Sequence, residues 1–413
     1  MDPASVLAAY ALLSAALQKS DGHDDPLATF LVVASFGLMV WSVLGRGRML
    51  ADVPIAKLGW WVALGSALLG FGRRPAMYIP ADVSLAPYRV LLGIAAVVIL
   101  LGSRGTLVKL RAPILAVVFL VLGIWTLRVS PSPNIDVFTF NQKAADLVLH
   151  GKSMYAPGAL PIVDIKGRTF DGYVYPPFPA MLSALGYVTT GDARYTQLVF
   201  LLGGAFLLRR IAKNRDLGDA LFACLLFHPR MLFILEEAWI EPLELPFLFG
   251  FVLLLITGRR TLAAVVLGFG LALKQHIFFY LPFVLLVPGL GIRTGVIACA
   301  TMLVPYMPFL LFAREGLAQS ILYRHLRTPF RADSLSVSAF VSNAHVFIPK
   351  WVGTLLAGCS FPVALRVVRR LATELAASTL PFFLFYMFGT QAFANYYWLI
   401  GATMLLAIAA RDE

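Results

Sequence analysis

Pro113-Ile114-Leu115-Ala116-Val117-Val118-Phe119-Leu120-Val121-Leu122-Gly123-Ile124-Trp125-Thr126-Leu127 carries no charge, and the chain then turns polar from Ser130 to Tyr175. The first stretch suits a hydrocarbon core, which only a helix or a closed barrel can cross. The second opens with Asn134-Ile135-Asp136-Val137-Phe138. It continues through Gly151-Lys152-Ser153-Met154-Tyr155 and ends at Tyr173-Val174-Tyr175-Pro176-Pro177-Phe178. Loops without regular structure are usually short, so a polar insertion this long is expected to carry function.

Composition fixes the class. The chain is 59% apolar and 14% charged, with mean hydropathy +0.80. A soluble chain of this length could not cover so much apolar surface. Apolar residues come in continuous runs, not in the alternation of barrel strands. The expected fold is therefore an all-α, polytopic helical membrane protein. Apolar runs lie at 4–18, 27–44, 55–71, 86–102 and 113–128. After the insertion they lie at 195–208, 218–235, 242–257, 261–273, 276–288, 295–312, 351–367, 372–389 and 396–410. That makes roughly 12–14 transmembrane spans; several runs are short, as broken or re-entrant helices are.

The net charge of +12 collects at span ends, so no nucleic acid is expected as a partner; the charge suits anionic headgroups. Arg46/Arg48, Arg104/Lys109/Arg111, Arg209/Arg210/Lys213/Arg215, Arg259/Arg260 and Arg366/Arg369/Arg370 share one side if the spans alternate. The positive-inside bias makes that side cytoplasmic. Loops 130–194 and 313–350 then face outward, with Arg73 and Arg74 against the trend. Tyr175–Tyr187 reads as an interfacial helix on the outer face, since a further span there would invert all that follows. The N-terminus lacks a basic region before Ser5–Leu17 and reads as a retained span. Cys224, Cys299 and Cys359 support neither disulfides nor a zinc site. Asp21-Gly22-His23-Asp24-Asp25 is a solvated hairpin or a cation site.

Several residues could carry chemistry. Asp136 sits just beyond a span; desolvation at the bilayer edge raises a carboxylate's proton affinity and suits it to general-base work. It would equally cap a helix over Val137–Leu149. Glu236, Glu237, Glu241 and Glu244 surround Trp239, and Glu237 and Glu241 are candidates for acceptor binding, or else for ion pairs with Arg230 or Lys274. Lys274 and His276 interrupt an apolar hairpin and could hold phosphate or snorkel to headgroups. Arg324, His325, Arg327 and Arg331 bring a basic cluster to the outer side, fitted to a phosphate-bearing lipid or to anionic headgroups at large. Tyr175, Asn395 and Tyr396 could form a sugar-binding shelf, or belong to the aromatic belt. There is no P-loop, Rossmann glycine pattern or HExxH motif. No Asp-x-Asp for a nucleotide sugar is present either. No metal site and no cofactor are expected.

Taken in order, Asp136, Ala144-Ala145, His150 to Tyr155, Tyr173 to Phe178, and Leu267-Gly268-Phe269-Gly270-Leu271-Ala272-Leu273-Lys274 resemble the GT-C superfamily of integral-membrane glycosyltransferases. The likeness is to the polyprenyl-phosphate-sugar-dependent branch, family 87, which includes mannosyltransferases. It covers about 113–410, leaving 1–112 as additional spans of unknown role. The resemblance implies that Asp136 is the catalytic base, that the donor is a lipid phosphosugar, and that the new bond is inverted. The expected function is transfer of a hexose such as mannose to a glycolipid, glycan or protein acceptor at the outer face of the plasma membrane. Two other classes share the composition: a transporter or lipid flippase, which would place charges near the bilayer midplane and show repeats, and a non-catalytic assembly subunit.

Overall fold

The computed structural model describes residues 1–45, 54–165, 168–170, 172–286, 291–323, 329–367 and 371–411. It is helical apart from one antiparallel ribbon, Val163–Ile165 (β1) with Arg168–Phe170 (β2), inside the polar insertion. Before the insertion come α1 (Pro3–Ser20), α2 (Pro26–Leu44), α3 (Ile55–Gly70), α4 (Ala86–Ser103) and α5 (Arg111–Val129). The insertion holds α6 (Asp136–Leu149) and ends in α7 (Pro177–Thr190). Next are α8 (Arg194–Ile211), α9 (Arg215–Leu226), α10 (Met231–Glu236), α11 (Glu241–Ile256), α12 (Arg260–Leu271), α13 (Leu281–Leu286) and α14 (Gly291–Phe312). The last are α15 (Arg314–Ala318), α16 (Val337–Asn343), α17 (Trp351–Val367), α18 (Leu371–Met387) and α19 (Ala394–Ala409).

The apolar runs become helices, as expected of a helical membrane protein, but fewer of them are full-length. Among the described residues four helices, α2, α4, α5 and α14, are long and apolar enough to cross a membrane. Others stop early for visible reasons. His228-Pro229 separates α9 from α10, because proline cannot donate the next helical hydrogen bond. The 12 residues of α12 end at Leu271 and give way to a 3-10 turn, Gln275–Tyr280. A 12-residue helix is about 18 Å long, short of the ~30 Å hydrocarbon layer, so such halves need neighbours. The 14 residues of α7 are also short of it; α7 packs on α6, α8 and α14.

The early helices belong to the same apolar core as the rest. Asp2 and Asp25 cap α1 and α2, each just ahead of a proline in the first turn. This start suits proline, whose missing N–H is not needed there. α1 packs against α19, and the Tyr10 hydroxyl donates to the Cys224 carbonyl at 2.7 Å. α3 packs against α9, where the Trp60 indole donates to Asp216 at 3.1 Å. At this end of the bundle Arg111 is buried between Asp216 (2.8 Å) and Asp219 (2.6 Å), and Arg209 also grips Asp219.

Two local expectations change. The Asp21–Asp25 hairpin is docked, not solvated. Asp21 pairs with Arg73 at 2.8 Å and with Arg230 at 2.7 Å, and Leu335 N–H donates to the Gly22 carbonyl at 3.0 Å. The off-trend arginines are likewise tied to the protein: Arg73 in that pair, and Arg74 through the carbonyls of Ile79 (2.9 Å) and Pro80 (2.7 Å). The three cysteines are free, as expected.

Candidate functional site

α5 ends at Val129, and the chain turns through Ser130–Ile135 to start α6 with Asp136 as its first residue. Asp136 does not cap the helix; Ile135 holds that position, with no side-chain hydrogen bond. Its carboxylate is half-buried. Burial pushes its proton affinity above the ordinary aspartate value, opposed by the backbone N–H groups of Val137 and Asp136 and by the Arg331 guanidinium. A helix N-terminus favours negative charge, but here desolvation outweighs it.

Around Asp136 the electrostatic neighbours come from distant parts of the chain. Tyr78, Tyr175, Tyr396 and Glu237 all stand in the field of its carboxylate. Glu237 lies between α10 and α11, is 3% exposed, and leaves Oε1 without a hydrogen-bond partner among the described residues. Burial, then the charges of Glu236 and Asp136, hold its proton affinity well above the usual glutamate range. The turn that presents it is unusual. Ala238 has φ +58°, the left-handed region that a Cβ disfavours. Its carbonyl is held by two buried amides, Asn141 Nδ2 at 3.2 Å and Gln197 Nε2 at 2.8 Å. Glu236, at the end of α10, accepts from the backbone N–H groups of Met77 (2.5 Å) and Tyr78 (3.1 Å).

A second polar cluster lies on the first turn of α11. Glu241 Oε1 accepts from Lys274 Nζ at 2.5 Å and from Asn395 Nδ2 at 2.6 Å. Glu244 Oε2 is 2.9 Å from His276 Nε2, and the Tyr386 hydroxyl is 2.9 Å from His276 Nδ1. The Lys274 ammonium lies 4.6 Å from the ring centre of Tyr396 and 5.7 Å from that of Tyr175. The charge of Asp136 acts on the same two rings.

The expected donor-phosphate residues behave unevenly. Lys274 and His276 converge, but each already holds a glutamate. Arg331 is bidentate to Asp333 (2.8 Å for both bonds) and stacks over Phe393 at 4.7 Å. Arg324, His325 and Arg327 lie outside the described residues. Of the acceptor candidates, Glu241 spends Oε1 on Lys274 and Asn395 and leaves Oε2 without a hydrogen-bond partner among the described residues, as Glu237 leaves Oε1. Tyr396 does not offer an open shelf on both faces, since Tyr386 stacks on it at 4.4 Å. A cleft of about 400 Å³ lined by His23, Asp24, Ala332, Asp333 and Asn343 opens beside Arg331, and Asp136 does not line it.

Sequence reading missed Tyr386, Asn141 and Gln197. A glutamine inside the apolar run 195–208 was a signal in principle, because a buried amide must find partners. No protein-family model, curated protein or solved structure matches this chain.

Proposed function

We propose that this chain is a membrane glycosyltransferase that moves a hexose, such as mannose, from a polyprenyl-phosphate-linked donor to a glycolipid, glycan or protein acceptor. The plasma membrane is its site, with the chemistry at the outer face. The observation that carries the reading is Asp136: a half-buried carboxylate of raised proton affinity just beyond a span, whose charge acts on Tyr78, Tyr175, Tyr396 and Glu237. Such a group takes a proton from an acceptor hydroxyl more readily than an ordinary aspartate does. Glu237, whose Oε1 has no hydrogen-bond partner among the described residues, is the group we assign to accept a hydrogen bond from a second hydroxyl of the acceptor. In a single displacement the acceptor oxygen attacks the anomeric carbon as Asp136 takes its proton. The lipid phosphate departs with the bonding electrons, and the bond inverts. For that phosphate we propose Arg324 and His325 as the cations, since Lys274 is held by Glu241.

Labelled lipid-phosphosugar supplied to membranes carrying Asp136→Asn tests the base. Transfer should fall by about 100-fold or more, the scale of a lost general base. Wild-type transfer by an intact Asp136→Asn protein would rule Asp136 out. A transporter remains the second reading, favoured by the buried Glu241–Lys274 and Glu244–His276 pairs, since intramembrane charges commonly mark transport paths. Substrate accumulation in sealed vesicles, unaffected by Asp136→Asn, would select it.

A further inference from the structure

Glu241 and Glu244 stand three residues apart in α11, so their side chains leave the same face of the helix. His276, on the 3-10 turn after α12, meets them there. All three are buried, at 0%, 1% and 7% exposure. One donor atom from each lies within 4.8 Å of the others. Their neighbours do not use up the carboxylates. Glu241 Oε1 takes both Lys274 and Asn395, leaving Oε2 with no hydrogen-bond partner among the described residues. Glu244 Oε1 and Asn395 Oδ1 are in the same position. Buried oxygens without partners are costly, and three in one cluster call for a ligand that accepts lone pairs. Lys274 pairs with Glu241, and Glu244 has the His276 imidazole as its neighbour.

We propose that Glu241, Glu244 and His276 bind a divalent transition-metal cation. An imidazole beside carboxylate oxygens suits Mn²⁺, Fe²⁺ or Zn²⁺ better than Mg²⁺ or Ca²⁺. The 2.9 Å between His276 Nε2 and Glu244 Oε2 fits two ligands of one ion. Bonds of about 2.1 Å at right angles put neighbouring ligands about 3.0 Å apart. Tyr386 fits the same arrangement. With an ion bound, the proton of His276 would sit on Nδ1 and be donated to the Tyr386 oxygen, leaving the Nε2 lone pair for the metal. Lys274 and Asn395 hold the other oxygen of Glu241 and fix the direction of Oε2. The site rests on this cluster alone and does not depend on the transferase reading.

The test uses the full chain in nanodiscs, stripped with chelator, reloaded with Mn²⁺ and freed of excess ion. Metal content and pulsed electron paramagnetic resonance are the readouts. The wild type should retain about one Mn²⁺ per chain, with nitrogen modulation from a coordinated imidazole. Glu244→Gln should bind at least about tenfold more weakly, and Tyr386→Phe about ten- to a hundredfold more weakly. Glu374→Gln, which removes a buried carboxylate elsewhere on α18, should bind as the wild type does. Wild-type protein that retains no Mn²⁺ overturns the site. So does retained Mn²⁺ without the nitrogen signal, an adventitious ion only. Should a variant fail to fold, the wild-type spectrum still decides.

Discussion

At the scale of single residues, Asp136 is poised between burial, which favours its protonated form, and the α6 backbone and Arg331, which favour the anion. A general base works deprotonated, so transfer should fall as pH drops through the Asp136 pKa. The acid limb should lie above the ~3.9 of a free aspartate. Arg331 holds that pKa down, so Arg331→Gln should move the limb to higher pH; a pH–rate profile reads the shift. A limb that stays put would mean that Asp136 is not the titrating base. Linkage gives a second outcome. A carboxyl whose folded pKa is raised adds stability fully below its unfolded pKa, and that contribution is lost as pH rises through the folded value. Above that folded value the wild type has lost it, so there Asp136→Asn should be inactive yet melt no lower than wild type. A clear drop in melting temperature would show a structural role for the carboxylate instead.

At the scale of elements, two left-handed turns hold the site's parts in register. Gly22 has φ +80°, and a Cβ there would meet the Ala394 backbone nitrogen at 2.1 Å. The α1–α2 hairpin therefore presses directly on the start of α19, next to Asn395 and Tyr396. Gly22→Ala meets both the left-handed φ and that backbone clash, and should cost at least about 1–3 kcal/mol, read as a lower melting temperature in detergent. Ala238→Gly relieves a left-handed alanine and should leave the melting temperature unchanged or raised, while Ala238→Val should lower it. An unchanged melt for Ala238→Val would show that the turn carries little strain. These devices were not legible in the sequence. Apolar runs marked the helices well, since lipid and packed protein both select apolar residues, and the helix over 137–149 was read from Asp136 onward. The alternative pairing of the glutamates with Lys274 was also readable. What no local pattern shows is which residue meets which across the bundle. Tyr386 on His276 and the two amides on Ala238 join segments far apart in sequence.

At the scale of the whole molecule, α1–α4 are joined to the rest at both ends of the bundle. At one end the link is Trp60 with Asp216, on the charge cluster around Arg111. At the other, Asp21 reaches Arg230, and Met77 and Tyr78 donate to Glu236, one residue from Glu237. The division at about residue 112 that the resemblance implied marks no gap in the packing. Removing the early helices would expose the faces of α9 and α19 that they cover. Arg230, 2% exposed, would lose its aspartate, and breaking a buried pair by removing one partner costs about 3–5 kcal/mol. A chain starting at residue 105 should therefore fail to yield monodisperse protein. Asp21→Asn isolates one link without deleting a helix. It should destabilise the chain in the same direction, and it should lower transfer as well, because the Arg230 segment leads through α10 to Glu237. A stable, fully active truncation would show that the early helices are an accessory and that the site is complete without them.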